Sequence, residues 1–74
     1  MRLKPLSFRE IKRRLEAAGF TEHSQKGSHV KFVRRVGEVV DTAIVPKSRE
    51  VAVGTIRSIL SQAHLTPDEW EHLP

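Results

Sequence analysis

Phe8, Ile11, Leu15 and Ala18 recur at the three- and four-residue spacing of one helix face, with charged residues between them. That stripe predicts a helix over about residues 8–18. Ser7 and Glu10 have capping-box spacing at its start, and Leu6 is placed to staple onto Ile11. Gly19 suits a left-handed stop, with Phe20 placed to touch Leu15 as in a Schellman motif. The polar side of this helix carries Arg9, Lys12, Arg13 and Arg14.

Beyond Gly19 the period shortens to that of strands. Phe20 to Gln25 predicts a short strand and Lys26-Gly27-Ser28 a turn. His29 to Val36 alternates as a second strand, with Val30 and Phe32 on one side and His29 and Lys31 on the other. Gly37-Glu38 supplies the next turn, and Val39 to Val45 a third strand ended by Pro46, which has no amide to extend a ladder. A loop of just those two residues sets Arg34 opposite Asp41, Phe32 opposite Ala43 and His29 opposite Pro46. Lys47 and Ser48 then follow just beyond the histidine. A one-residue slip would exchange the two faces, and Val33 and Ile44 on the outer side pull toward it.

Ile56, Ile59, Leu60 and Ala63 mark a second helix entered near Gly54-Thr55. Thr66-Pro67-Asp68-Glu69 is another capping box, with proline at the first helical position, and it opens a short helix carrying Trp70 and Leu73. The fold class expected is α+β, in the order α-β-β-β-α, with helices on one face of a three-stranded antiparallel sheet and the other face open.

Length changes this picture little: 74 residues suit a single domain over 1–74 with a small core. Charge changes it more. Residues 1–35 hold ten Lys/Arg against three acids, whereas residues 36–74 hold three against six. An anion-binding surface is therefore expected on the first-half elements. The chain has no cysteine, which excludes disulfides, thiolate chemistry and cysteine-ligated zinc. Met1-Arg2-Leu3-Lys4-Pro5-Leu6 has no apolar signal core, and no stretch approaches membrane-spanning length, so a cytoplasmic protein with no membrane partner is expected.

Candidate chemistry concentrates at Lys26-Gly27-Ser28-His29 and the adjoining Lys31. An imidazole exchanges protons near neutral pH, and flanking lysines hold an anion within its reach. RNA carries its own nucleophile, the 2′-hydroxyl, so a protein that cleaves it needs only to orient the backbone, neutralise the phosphate and move protons. His29 suits general base or general acid. Lys26 and Lys31 suit the phosphate charge, and Ser28 and Ser48 hydrogen bonds to its oxygens. Equally, strand lysines often only discourage edge pairing, and a histidine after a turn is often a solvated surface residue. His23, His64 and His72 lack ligand spacing, so no metal site is expected. His64 suits a favourable charge near a helix end, and Trp70 a core or contact position.

Leu15-Glu16-Ala17-Ala18-Gly19-Phe20, the Gln25-Lys26-Gly27-Ser28-His29 turn, Phe32, Val45-Pro46 and Gly54-Thr55-Ile56-Arg57-Ser58-Ile59-Leu60 together resemble the HicA toxins, small ribonucleases of type II toxin–antitoxin modules. The resemblance runs over residues 7–70. It implies a fold similar to the double-stranded RNA-binding domain, metal-independent mRNA cleavage without a cofactor, and neutralisation by a HicB-like antitoxin that covers the site. An oligomer through the antitoxin complex is in keeping with it. The family's catalytic histidine corresponds to His29, with Gly27 and Ser28 as its turn. Many relatives carry a second histidine two residues after the strand-ending proline, where this chain has Ser48 and only the adjoining Lys47 offers a charge.

Two other readings compete. A non-catalytic RNA-binding module of the same fold usually has a lysine cluster at a helix start, which Val51-Ala52-Val53-Gly54-Thr55-Ile56-Arg57 lacks. Phe8, Phe20 and Phe32 are all assigned to the core, which argues against a base-stacking sheet. A basic protein-interaction domain would bind an acidic partner and hydrolyse nothing.

Overall fold

The protein is described by a computed structural model covering residues 3–74; Met1 and Arg2, part of the amino-terminal stretch considered above, lie outside the described residues. Six elements follow in order: α1 (Phe8–Ala17), β1 (Thr21–Lys26), β2 (His29–Val36), β3 (Val39–Pro46), α2 (Val53–Ala63) and α3 (Pro67–Glu71). The strands form one antiparallel sheet in the order β1-β2-β3. This is the expected α-β-β-β-α arrangement.

Local chemistry accounts for the helix ends. Ser7 accepts a hydrogen bond from the Glu10 amide at 3.2 Å, but the reciprocal half of the box is missing because the Glu10 carboxylate pairs with Arg13 at 2.6 Å. At α3 both halves form: Thr66 Oγ1 accepts from the Glu69 amide at 3.1 Å, and Glu69 Oε1 accepts from the Thr66 amide at 2.8 Å. The stop of α1 is the expected Schellman pattern. Gly19 sits at φ +98°, its amide donates to Glu16 O, and the Phe20 amide donates to Leu15 O. Phe20 thereby drops into the core and β1 begins one residue later than expected.

The core lies between the helices and one sheet face. Ile11 and Leu15 of α1, Ile56, Ile59, Leu60 and Ala63 of α2, and Trp70 of α3 meet Val30, Phe32, Ala43 and Val45 of the sheet. The segment before α1 is held by paired backbone hydrogen bonds between Leu6 and Val51. Arg14, expected on the outer side of α1, instead turns inward: its guanidinium donates to Trp70 O at 3.1 Å and lies over the indole ring. A long alkyl stem lets arginine cover apolar surface in this way.

The β2–β3 register is the expected one, with Arg34 opposite Asp41, Phe32 opposite Ala43 and His29 opposite Pro46. The β1–β2 register departs from regular alternation. Glu22 faces Phe32 but Ser24 faces Lys31, so His23 is an extra residue, a β-bulge. The consequence is specific. A regular ladder continued from Glu22 would set Gln25 opposite His29; the bulge sets Lys26 there instead. Lys26 thus ends β1 rather than entering the turn, which contracts to Gly27 and Ser28 with Gly27 at φ +59°. A positive φ at the first central position alone is the type II′ pattern, matched to the twist of a hairpin.

Candidate active site on the open sheet face

Alternation along β2 turns Val30, Phe32 and Arg34 toward the helices and leaves His29, Lys31, Val33 and Arg35 on the open face. His29 is solvent-exposed. With Ser24, Lys26, Lys31 and Ile44 it lines a shallow depression of about 540 Å³. Lys26 lies directly opposite His29 across the β1–β2 ladder, and Lys31 is the next residue of β2 on the same face. Neither lysine is ion-paired among the described residues. Glu22 and Asp41, the acids of the three strands, belong to the opposite alternation, so among the described residues the strands present no carboxylate on this face.

The remaining expected site residues are placed differently. Gly27 and Ser28 form the turn beneath His29, and the Ser28 carbonyl accepts from the Lys47 amide at 2.6 Å, tying the start of β2 to the end of β3. Lys47 follows Pro46 and so turns to the other side, where its ammonium lies 5.8 Å from the centre of the Phe8 ring. Ser48 is engaged within its own loop: its hydroxyl lies 3.1 Å from Glu50 O and 3.3 Å from the Glu50 amide. The depression therefore gathers Lys26, His29 and Lys31 but neither the Lys47 ammonium nor the Ser48 hydroxyl. Ser24 and Ile44 complete it. Ile44 was legible as an outer-face residue; Ser24 was not, because only the bulge turns it outward.

A second polar cluster lies at the other end of the sheet. Asp41 is buried and accepts from Arg34 Nη2 at 2.8 Å, while its second oxygen lies 2.7 Å from Nδ1 of His64. Arg34 also donates to Ala18 O and Ala63 O at the ends of α1 and α2, and stacks 4.7 Å from the Phe20 ring centre. The arginine first and the histidine second hold the Asp41 carboxyl below its ordinary value of 3.8. His64 itself occupies the left-handed position after α2, at φ 56°. Sequence spacing paired Arg34 with Asp41, but nothing in it connected His64 to them. Among the described residues no group of three or more His, Cys, Asp or Glu side chains is arranged to hold a metal ion, and no helix is long and apolar enough to cross a membrane.

The family model described as the HicA toxin of bacterial toxin–antitoxin systems matches residues 8–65, from the first residue of α1 to just past α2. The chain belongs to the HicA toxin family. No curated protein and no solved structure matches it significantly. As a HicA-family protein it is the toxin of a toxin–antitoxin pair, and a cognate antitoxin is its partner. The matched region contains every strand of the sheet, and with them the His29 depression and the Arg34–Asp41–His64 cluster.

Proposed function

We propose that this toxin, acting as one domain over residues 1–74, is an endoribonuclease that cleaves mRNA in the cytoplasm without a metal ion or cofactor, with His29 as its proton carrier. The observation supporting the reading is the exposed His29 imidazole beside Lys26 and Lys31, which among the described residues have no ion-pair partner and no strand carboxylate on their face. In the reaction the 2′-oxygen of one nucleotide bonds to the adjacent phosphorus, the bond to the 5′-oxygen breaks, and the products are a 2′,3′-cyclic phosphate and a 5′-hydroxyl end. His29 accepts the 2′-hydroxyl proton or supplies one to the departing oxygen, and water completes the other transfer. The two lysines offset phosphate charge that builds in the transition state. Ser28, at the turn, suits a hydrogen bond to a phosphate oxygen. Lys47 and Ser48 lie outside this depression, the ammonium toward Phe8 and the hydroxyl bonded within its own loop, so in this reading they contact RNA only beyond the reacting phosphate. The antitoxin, HicB-like in this reading, blocks the toxin by covering this face, and any higher oligomer forms through that complex.

Incubation of the purified toxin with single-stranded RNA in EDTA, beside His29→Ala, tests the reading. Cleavage lost in the variant, with a cyclic phosphate product, is expected. The parent should also slow growth of a host lacking antitoxin, and the variant should not. Equal cleavage by both proteins would identify a contaminant. A non-catalytic RNA-binding role has one observation in its favour: Ser48 stands where many relatives have a second histidine, and its hydroxyl is taken up by Glu50. RNA binding by both proteins with cleavage by neither would establish that role instead.

A further inference from the structure

Beyond the His29 depression, and sharing Lys31 with it, lies a second depression of about 450 Å³ on the same face. Its lining includes His23, Lys31, Val33, Arg35, Val40 and Thr42. Both volumes fall in the range of about 300–1,000 Å³ that takes a small organic ligand. Neither His23 nor Arg35 is used by the proton-transfer chemistry above, and Arg35 has no ion-pair partner among the described residues. We propose that the open face is a continuous track for single-stranded RNA, in which Arg35, Lys31 and His23 form a second nucleotide subsite beside the one at His29.

The face is divided lengthwise by chemistry. β1 presents Thr21, His23, Ser24 and Lys26, all polar, and β2 presents His29, Lys31 and Arg35 with Val33 among them. β3 presents Val40, Thr42, Ile44 and Pro46, each directly opposite one of those β2 residues. A cationic lane thus runs beside a largely apolar lane. Val40 and Ile44 are 45% and 40% exposed, more than core packing explains. A single nucleic-acid strand has the same division, with phosphates along one side and base faces along the other. A duplex turns its bases inward and leaves an apolar lane without a partner.

The spacing fits as well. Residues sharing a strand face are about 6.7 Å apart, a step comparable to the backbone repeat of an extended nucleic-acid strand. His29 to Arg35 spans about 20 Å by the same rise, room for a few nucleotides. Sequence-tolerant single-strand binders pair a cationic groove with surfaces for base faces; here β-branched side chains take the place of aromatics. The bulge at His23 serves both depressions, because it keeps His23 outward while turning Ser24 and Lys26 outward too.

The proposal rests on the nuclease reading only in saying where the strand goes on one side of the reacting phosphate, so its test separates binding from cleavage. In a His29→Ala background, anisotropy titrations use labelled oligouridylates of increasing length, a duplex RNA and polyglutamate. Affinity is expected to rise with length and then level off, with duplex and polyglutamate binding more weakly. Adding Arg35→Ala should lower affinity for the longer oligomers by about threefold to tenfold, leave the shortest nearly unchanged, and reduce the salt slope by about 0.7 per lost phosphate contact. Val40→Asp should weaken the same oligomers, and thermal melts of each variant verify that it is folded. Parent-like affinity at every length in Arg35→Ala and His23→Ala would overturn the track, as would equal binding of polyglutamate, which would make the face a docking site for an acidic protein. Arg35-dependent binding with no cleavage by the parent would refute the nuclease reading and leave the track standing. Cleavage that needs His29 but ignores Arg35 would do the reverse.

Discussion

The two ends of the sheet treat their polar groups in opposite ways. In the cluster around Asp41, on the helix side of the sheet, charge is answered by charge or carbonyl: Arg34 meets a carboxylate and two helix-terminal carbonyls, and His64 meets the second carboxylate oxygen. On the open face near His29, Lys26 and the imidazole stand exposed and Lys31 half-buried, with no strand carboxylate beside them among the described residues. By appearance the first looks more like catalytic machinery, since a carboxylate orienting a histidine is a familiar arrangement. The burial of Asp41 and the bonds from Arg34 to the ends of α1 and α2 argue that it joins helices to the sheet. Unpaired charge at the other end costs little in water and remains available for a ligand. The difference teaches that satisfied polar groups build the fold, and unsatisfied exposed ones are where binding is to be sought.

That division can be broken most directly at His29. His29→Ala should reduce RNA cleavage on the order of 10²–10⁴-fold, while a thermal melt moves by less than about 0.5 kcal/mol in stability. A large loss of stability would place His29 among the structural residues and erase the contrast.

Arg34→Met tests the other end. It strands the Asp41 carboxylate and frees two carbonyls, and should cost about 2–3 kcal/mol in urea unfolding. Residual cleavage, measured well below the melting temperature, should persist. Removing charge from the cationic end sharpens the contrast from the opposite side: Lys31→Ala should reduce the salt slope of RNA binding by about 0.7 and leave the melt unchanged.

A pH series separates the ends without mutation. Arg34 and His64 lower the Asp41 pKa in the folded state, so the carboxylate contributes stability above its unfolded value of 3.8. That contribution is lost as pH falls from there through the depressed folded value. Asp41→Asn should flatten the acid limb of the stability profile, measured by urea midpoints below pH 5 or so. An unchanged limb would show that the cluster contributes no proton linkage.

The smallest effect concerns His64. A non-glycine residue in the left-handed region is strained by about 1–2 kcal/mol, and the bond to Asp41 offsets this. His64→Gly relieves the strain as it loses the bond, whereas His64→Ala keeps the strain. The alanine variant should therefore be less stable than the glycine variant by about 1 kcal/mol. Equal stabilities would indicate that the turn relaxes when the ring is removed.

Much of this molecule was legible along the chain because its information is local. The Phe8–Ile11–Leu15 stripe, the Gly19 stop, the Thr66–Glu69 box and the two-residue Gly37-Glu38 turn each act within a few residues, and the turn carries the whole β2–β3 register with it. That register set His29 on the open face and Arg34 against Asp41. Three features were not legible. The bulge at His23 exchanges Gln25 for Lys26 opposite His29, yet no residue there marks where an extra position enters a ladder. Arg14 turned inward to Trp70, although its place on α1 suggested the outer side, because Trp70 of a distant helix offered both an indole ring and a main-chain carbonyl. Asp41 and His64 came together only when α2 packed beside β3. Sequence determined which residues were available and which way β2 presented them. Tertiary packing alone decided which charges found partners, since partnership depends on distances between segments that no local spacing specifies.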